Sequence, residues 1–472
     1  MKYCRLIFTL IIAFIIIIQC DAKELDEIKY KDGNYYYYKN NEVQKGLFTY
    51  KGNKYFANEE GIIQVGIQNT EEGKLFFSRD KTKYGVMKTG KFQIGEDTYI
   101  FAPTLQTNIF EYEGNTYYAN EEGIIQVGLQ DTEKGQLFFS RDKTKYGVMK
   151  TGKFQIGEDT YIFAPTLQTN IFEYEGNTYY ANEEGIIQVG LQNTEKGQLF
   201  FSRDQTKYGV MRTGKFQIGG DTYIFSPTLQ VDMFEYKGEK YYADSEGRLK
   251  TGLQDTENGQ MFFSRDKAKY GVMRTGTFSI GYNEYTFNSE GYFQKKQYIP
   301  YYYSQKDSRW SKKKYGKKTF GSTGCAPTAM AMAFTSILDR SILPTEVADF
   351  LYYYTDEYNR HSVGSSGMAI KYATDHYKVK REPIKTKNQM IEELKAGYII
   401  FAVMGDGRFA TSWYTHAILL YRYSNNYTQA MVADPLTQSN NYWVSIDRVF
   451  SEQSKDPDDS TAGSNFYTLK PY

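Results

Sequence analysis

One of the three cysteines, Cys325, lies in the stretch FGSTGCAPTAMAMAFTSIL, and its neighbours limit what a thiol there can do. Gly324 permits a tight backbone just before it, Pro327 is tolerated in a first helical turn, and the Ala/Met run is nearly uniformly apolar. The segment is therefore predicted to be a loop running into a buried helix. Free N–H groups and the positive end of the dipole at that helix start favour thiolate. A small first residue of a core helix fits the same pattern, and the segment alone leaves both readings open. A base for a thiolate is offered by WYTHAILLYRY, in which His416 leads an apolar run that reads as a strand. With Ser424–Asn426 as a turn and AMVADP as a second strand, a hairpin would place Asp434 beside His416. A carboxylate there holds the imidazole in one tautomer while the other nitrogen faces a nucleophile. His361, in the glycine- and serine-rich RHSVGSSG, and His376, where a helix from Met368 ends, lack that context. A cation at a helix C-terminus needs no catalytic explanation.

The rest of the chain must position these groups. Its 472 residues are enough for about three domains. Lys2 and Arg5 precede an apolar run from Leu6 to Ile18, followed by Gln19, Cys20, Asp21 and Ala22, which reads as a secretory signal peptide over residues 1–22. The run is shorter than the roughly 17–25 residues of a spanning helix, and no later segment approaches that length, so no transmembrane segment is expected in the mature chain. Bulky Gln19 disfavours lipid attachment at Cys20. Loss of the leader takes Cys4 and Cys20 with it and leaves Cys325 alone, without an intramolecular disulfide. In a secreted chain that thiol is either a small buried hydrophobe or a nucleophile. With 57 Lys/Arg against 56 Asp/Glu, the net charge of +1 argues against disorder and against a nucleic-acid partner. Scattered His and no H-E-x-x-H or C-x-x-C spacing argue against a metal, and no glycine motif suggests a nucleotide or other cofactor.

Aromatic residues make up 17% of the chain, with 46 Tyr and 31 Phe but 3 Trp. Much of this comes from a repeat: FTYKGNKYFANEEGIIQVG at Phe48, FEYEGNTYYANEEGIIQVG at Phe110 and Phe172, and FEYKGEKYYADSEGRLKTG at Phe234, a period of 62 residues. Within each period lie shorter units such as Gly46–Val65, Gly66–Thr89 and Gly90–Thr107. Pairs such as Tyr55–Phe56 and Phe76–Phe77 form strands, with turns at Lys51–Gly52–Asn53 and Glu60–Gly61, so each unit reads as a β-hairpin. A lone hairpin is marginal in water. The units are therefore expected to stack as a solenoid over residues 28–297, with Gly66, Gly90, Gly128 and Gly152 marking the step between units.

These units resemble the cell-wall-binding and glucan-binding repeats of secreted Gram-positive proteins, and the longer variant YIFAPTLQTNIFEYEGNTYYANEEG is similar to repeats in clostridial toxin tails. The resemblance implies binding of a cell-wall polymer or glycan in shallow pockets between hairpins, where aromatic faces suit sugars or quaternary ammonium groups. The choline-binding branch commonly builds its cage with Trp, which this array lacks, so a saccharide is expected over choline.

Residues 298–472 form a separate domain in which YIPYYYSQKDSRW, FGSTGCAPTAMAM, THAILLY and VADP together resemble the papain-like cysteine peptidases related to bacteriocin-processing peptidases. VGSSGMAIKYA and MIEELKAGYIIFAVM are weaker matches. The fold class expected is thus multidomain, a β-hairpin solenoid followed by an α+β papain-like domain. The resemblance makes Cys325 the nucleophile, His416 the general base and then acid, Asp434 its orienter and Gln305 an oxyanion-hole donor. It implies a thiol-dependent hydrolase acting on a peptide or peptidoglycan, with no cofactor. Without the resemblance Gln305 would read as a surface strand residue. A carbohydrate-binding adhesin with a non-catalytic papain-like domain is the alternative, and transfer of the acyl group to an amine is a third possibility. LTQSNNYW and Asp456–Asp459 read as surface loops without an assigned role.

Overall fold

The computed structural model describes residues 26–411 and 413–472; the leader over residues 1–22 lies outside the described residues. The described chain forms two compact units, one ending at Thr213 and the other spanning Gly214–Tyr472.

In the first unit, short antiparallel hairpins follow one another, for example Gly46–Tyr50 with Asn53–Ala57, Gly66–Thr70 with Gly73–Phe77, and Gly90–Ile94 with Asp97–Phe101. Lys51 and Gly52 connect the first of these with φ of 47° and 76°. Two consecutive left-handed residues make the turn whose twist matches that of the flanking strands. The expected step glycines open strands with φ between 79° and 125°, and a side chain at Gly128 would lie 2.7 Å from the Arg141 guanidinium. Successive hairpins are tied by backbone bonds such as Ile125 N–H to Thr98 O at 2.8 Å and Leu105 N–H to Lys74 O at 2.9 Å. Alternation places Leu75, Phe77, Phe101, Phe139 and Phe163 in fully buried positions, so phenylalanine rings fill the seams.

In the second unit, hairpins continue through Asn283–Phe287, which also pairs with Phe293–Gln297. The last hairpin departs from its predecessors at the residue that opens its second strand. Where Asp97, Asp159 and Asp221 open the second strand, Asn283 stands, 1% exposed. Its amide donates to Ser336 O at 2.8 Å and accepts from Ile299 N–H at 3.2 Å. Beside it, Glu284 pairs with Arg422 at 2.5 Å. The hairpin is therefore anchored on the helix and sheet of the following domain. Asn283→Ala leaves the Ser336 carbonyl and the Ile299 N–H unpaired. A loss of about 1–3 kcal/mol is expected in urea unfolding of this unit, and an unchanged midpoint would refute the anchoring role.

Beyond Gln297 the chain builds helices on a six-stranded antiparallel sheet ordered Val379–Pro383, Phe466–Pro471, Ile399–Met404, His416–Ser424, Gln429–Ala433 and Trp443–Ser445. The helix Cys325–Ile337, buried from Ala326 to Ile337, packs across the centre of this sheet and against the helix Pro344–Tyr353. That burial accounts for the uniformly apolar run: a helix covered on all sides has no face left for polar residues. The multidomain organisation expected from the sequence, hairpin repeats followed by a domain of helices and sheet, is what the chain adopts. Among the described residues, no helix is long and apolar enough to cross a membrane.

Candidate active site

Cys325 is the first residue of the central helix, half-buried and free of any disulfide. A single helical turn, Phe320–Thr323, leads into it, and a side chain at Gly324 would come within 2.6 Å of Phe320 O. The tight approach expected before the thiol is thus real and requires glycine. His416 begins the strand beneath that helix start, and the register of its hairpin, Leu419 opposite Ala433, sets Asp434 just past the partner strand. His416 Nε2 lies 2.7 Å from Asp434 Oδ1, with both side chains buried. With Nε2 engaged, Nδ1 is the nitrogen left for the Cys325 thiol, to which the imidazole is hydrogen-bonded.

The electrostatics favour an ion pair. Burial pushes the Cys325 thiol up, but the His416 bond and charge, with the N–H groups of Ala417 and Ala326, reverse this and hold it below the ordinary thiol range. Burial likewise disfavours the imidazolium, and the bonds to Asp434 and Cys325 outweigh it, raising His416 to about 10. Asp434 is pushed up by burial and held down by His416, Asn440 and the Leu436 N–H.

Its four lone-pair directions are well used. Oδ1 accepts from Leu436 N–H at 2.8 Å and Thr437 N–H at 3.2 Å besides His416, and Oδ2 accepts from Asn440 Nδ2 at 2.7 Å. Asn441 Oδ1 accepts the Asp434 N–H at 2.8 Å. Both asparagines lie in LTQSNNYW, a stretch that reads as a plain surface loop in the sequence. Two adjacent amides a few residues after an Asp-Pro were the available signal, because a buried carboxylate needs more donors than one imidazole. Asp459, also unassigned in the sequence reading, accepts from Ser454 Oγ at 2.6 Å and is hydrogen-bonded to Thr415, the residue before His416.

Gln305 is 3% exposed and sits in a turn, so it is no surface strand residue. Its backbone N–H donates to Pro435 O at 2.8 Å and its amide to Gly321 O at 3.1 Å. It thereby joins the segment carrying Asp434 to the turn preceding Cys325. One amide N–H is spent on Gly321, and an amide has two. Thr323, two residues before the thiol, lies 3.1 Å from the buried Tyr358 hydroxyl and accepts from Asn359 Nδ2 at 2.8 Å, which fixes one end of the glycine- and serine-rich loop. The other histidines stay outside: His361 is 82% exposed at its side chain, and His376 stacks on Phe350 at 3.9 Å. Among the described residues, no cluster of three or more metal-ligating side chains occurs.

Residues 296–455 match the family model described as Peptidase_C39 like family. The chain is 27% identical over 247 residues to Glucosyltransferase-S of Streptococcus mutans, covering 48% of this chain and 16% of that protein. It is 24% identical over 265 residues to Glucosyltransferase-I of Streptococcus downei, covering 51% of this chain and 15% of that protein. The chain thus spans about one sixth of these relatives' length. Among solved structures, choline binding protein F from Streptococcus pneumoniae matches at 17% identity and a TM-score of 0.35, covering 57% of this chain and 99% of that one. The segment that matches the Peptidase_C39-like family thus follows the hairpin repeats in the chain.

Proposed function

We propose that this chain is a secreted cysteine peptidase or amidase, held on a cell-wall polymer or glycan by its repeats, with Cys325, His416 and Asp434 as its catalytic residues. The observation that carries this reading is the buried chain of contacts from thiol to imidazole to carboxylate, with the 2.7 Å bond from His416 to Asp434 at its end. A merely structural cysteine is an inert small hydrophobe and needs no such partners.

In this reading residues 1–22 are a leader, 28–297 the binding array and 298–472 the catalytic domain. The Cys325 thiolate attacks an amide carbonyl, and the second N–H of the Gln305 amide and the Cys325 backbone N–H receive the oxyanion. His416 Nδ1–H then passes its proton to the leaving amine, and the same nitrogen takes one from the water that cleaves the thioester. Trp413 and Tyr414, 87% and 73% exposed just before His416, offer apolar surface to a substrate side chain. Several repeats on one chain allow weak sites to add as avidity.

The test is incubation of the protein with purified peptidoglycan and, separately, with a mixed peptide library, reading new termini by mass spectrometry. New termini name the bond. If neither substrate is cut while the protein still sediments with wall or glycan preparations, the chain belongs with the adhesins. If the protein is left in the supernatant at the level of an unrelated β-protein, the binding role of the repeats is wrong.

A further inference from the structure

At three places along the hairpins, a lysine of the chain itself occupies a position built for a cation. Lys91 Nζ donates to the backbone O of Tyr146 at 2.5 Å and lies 5.1 and 5.8 Å from the ring centroids of Tyr117 and Tyr146. The pattern recurs one period on, where Lys153 donates to Tyr208 O and lies 5.0 and 5.9 Å from the rings of Tyr179 and Tyr208. It recurs again at Lys215, bonded to Tyr270 O, with the rings of Tyr241 and Tyr270 at 5.1 and 5.9 Å. Each lysine crosses 55 residues of sequence to reach its carbonyl.

Two aromatic faces within about 6 Å and one carbonyl acceptor are the groups that recognise an alkylammonium ion. The rings are held in place independently of the lysine, since Tyr117 is 6% exposed in a cluster with Ile100 and Ile125 that is joined by Phe110 and Tyr146. The first seam is built otherwise: there Tyr37 stacks on Phe48 at 4.4 Å, in a cluster with Tyr55 and Ile63.

We propose that these three seams are ammonium cages filled by the chain's own lysines, which closes them to choline and other quaternary ammonium groups. A wall polymer bearing such groups gains no anchor here, and the array must recognise its polymer through other surfaces. Removing the lysine turns each cage into a site for a free ammonium ligand. This inference does not depend on the peptidase reading.

The experiment is a choline titration of the full chain and of its Lys91→Ala, Lys153→Ala, Lys215→Ala triple variant, followed by the tyrosine NMR signals. The variant is expected to bind choline about tenfold or more tightly than the unaltered chain. Equal binding by both proteins, with matching circular dichroism, overturns the proposal, as does saturable choline binding at these tyrosines in the unaltered chain. A second measurement needs no variant. In the unaltered protein with lysine labelled at the ε carbon, the ε-methylene signals of Lys91, Lys153 and Lys215, assigned by their through-space contacts to the ring protons of Tyr117, Tyr179 and Tyr241, should be displaced upfield by tyrosine ring currents. If no lysine ε-methylene contacts those three rings, or if the contacting signals lie at the free-lysine position, the cages are not filled and the proposal fails.

Discussion

Cys325→Ala is expected to lower cleavage of the bond identified in the terminus assay by about 10⁴-fold or more, while sedimentation with wall material stays unchanged. The size follows from what is removed. Without the thiolate no thioester forms, and only oriented water, the oxyanion donors and substrate binding remain; in triad hydrolases these leave a residual of roughly 10³–10⁴ over the uncatalysed reaction. The fold should survive, because alanine suits a helix that already continues Ala326, Pro327, Thr328, Ala329. His416 keeps its 2.7 Å partner Asp434 in the variant, so the buried imidazole is not left alone. Thermal unfolding of variant and parent should agree within a few degrees, which separates lost chemistry from lost structure. Cys325→Ser is the sharper control, since it preserves size and hydrogen bonding while placing a much weaker nucleophile in the same spot. A Cys325→Ala protein that retains more than about one part in 10² of the activity would remove the thiol from the mechanism.

How much of this site can be read from the sequence depends on the range of each interaction. The helix at Cys325 is legible because its determinants are adjacent: Gly324, Pro327 and the Ala/Met run act over one or two turns. The approach of His416 and Asp434 is legible for the same reason, as one hairpin of 18 residues' separation brings them together. The repeats are the most legible part, because Lys51–Gly52 and its later equivalents dictate a turn wherever they occur. Other features depend on distant partners. Asn283 looks like a neutral exchange for aspartate until Ser336, 53 residues away, is placed against it. Gln305 lies in the polar stretch SQKDSRW, and nothing local says that its amide turns inward to Gly321. Lys91 reads as one more charged strand residue, and the rings beneath it come from the next hairpins. Asn440 and Asn441 are local to Asp434, but a polar loop is the ordinary reading of such a run.

His416→Ala is expected to slow alkylation of Cys325 at pH 5.5 on the order of 10²-fold, with the deficit closing as pH approaches the ordinary thiol pKa of about 8.5. In the parent, the imidazolium and its hydrogen bond outweigh burial and hold the thiol below its usual range. Once the ring is gone, burial is opposed only by the Ala417 and Ala326 N–H groups, and thiolate forms no earlier than in a free cysteine. A thiol of pKa about 8.5 is only about 0.1% ionised at pH 5.5, which caps the gap at about 10³-fold, and the lower intrinsic nucleophilicity of a low-pKa thiolate reduces it further. The same pair sets opposite limbs for stability and activity. The His416 pKa is raised, so its contribution is complete below the ordinary histidine pKa of about 6.5 and is lost as pH climbs through about 10. The Cys325 and Asp434 pKa values are lowered, so their contributions are present above their ordinary pKa values and are lost as pH falls through the folded ones. Activity should therefore extend into mildly acidic solution and fail on the alkaline side near the imidazolium limit. A parent protein whose alkylation follows a normal thiol titration, superimposable on that of His416→Ala, would show that thiol and imidazole are neighbours without being a catalytic pair.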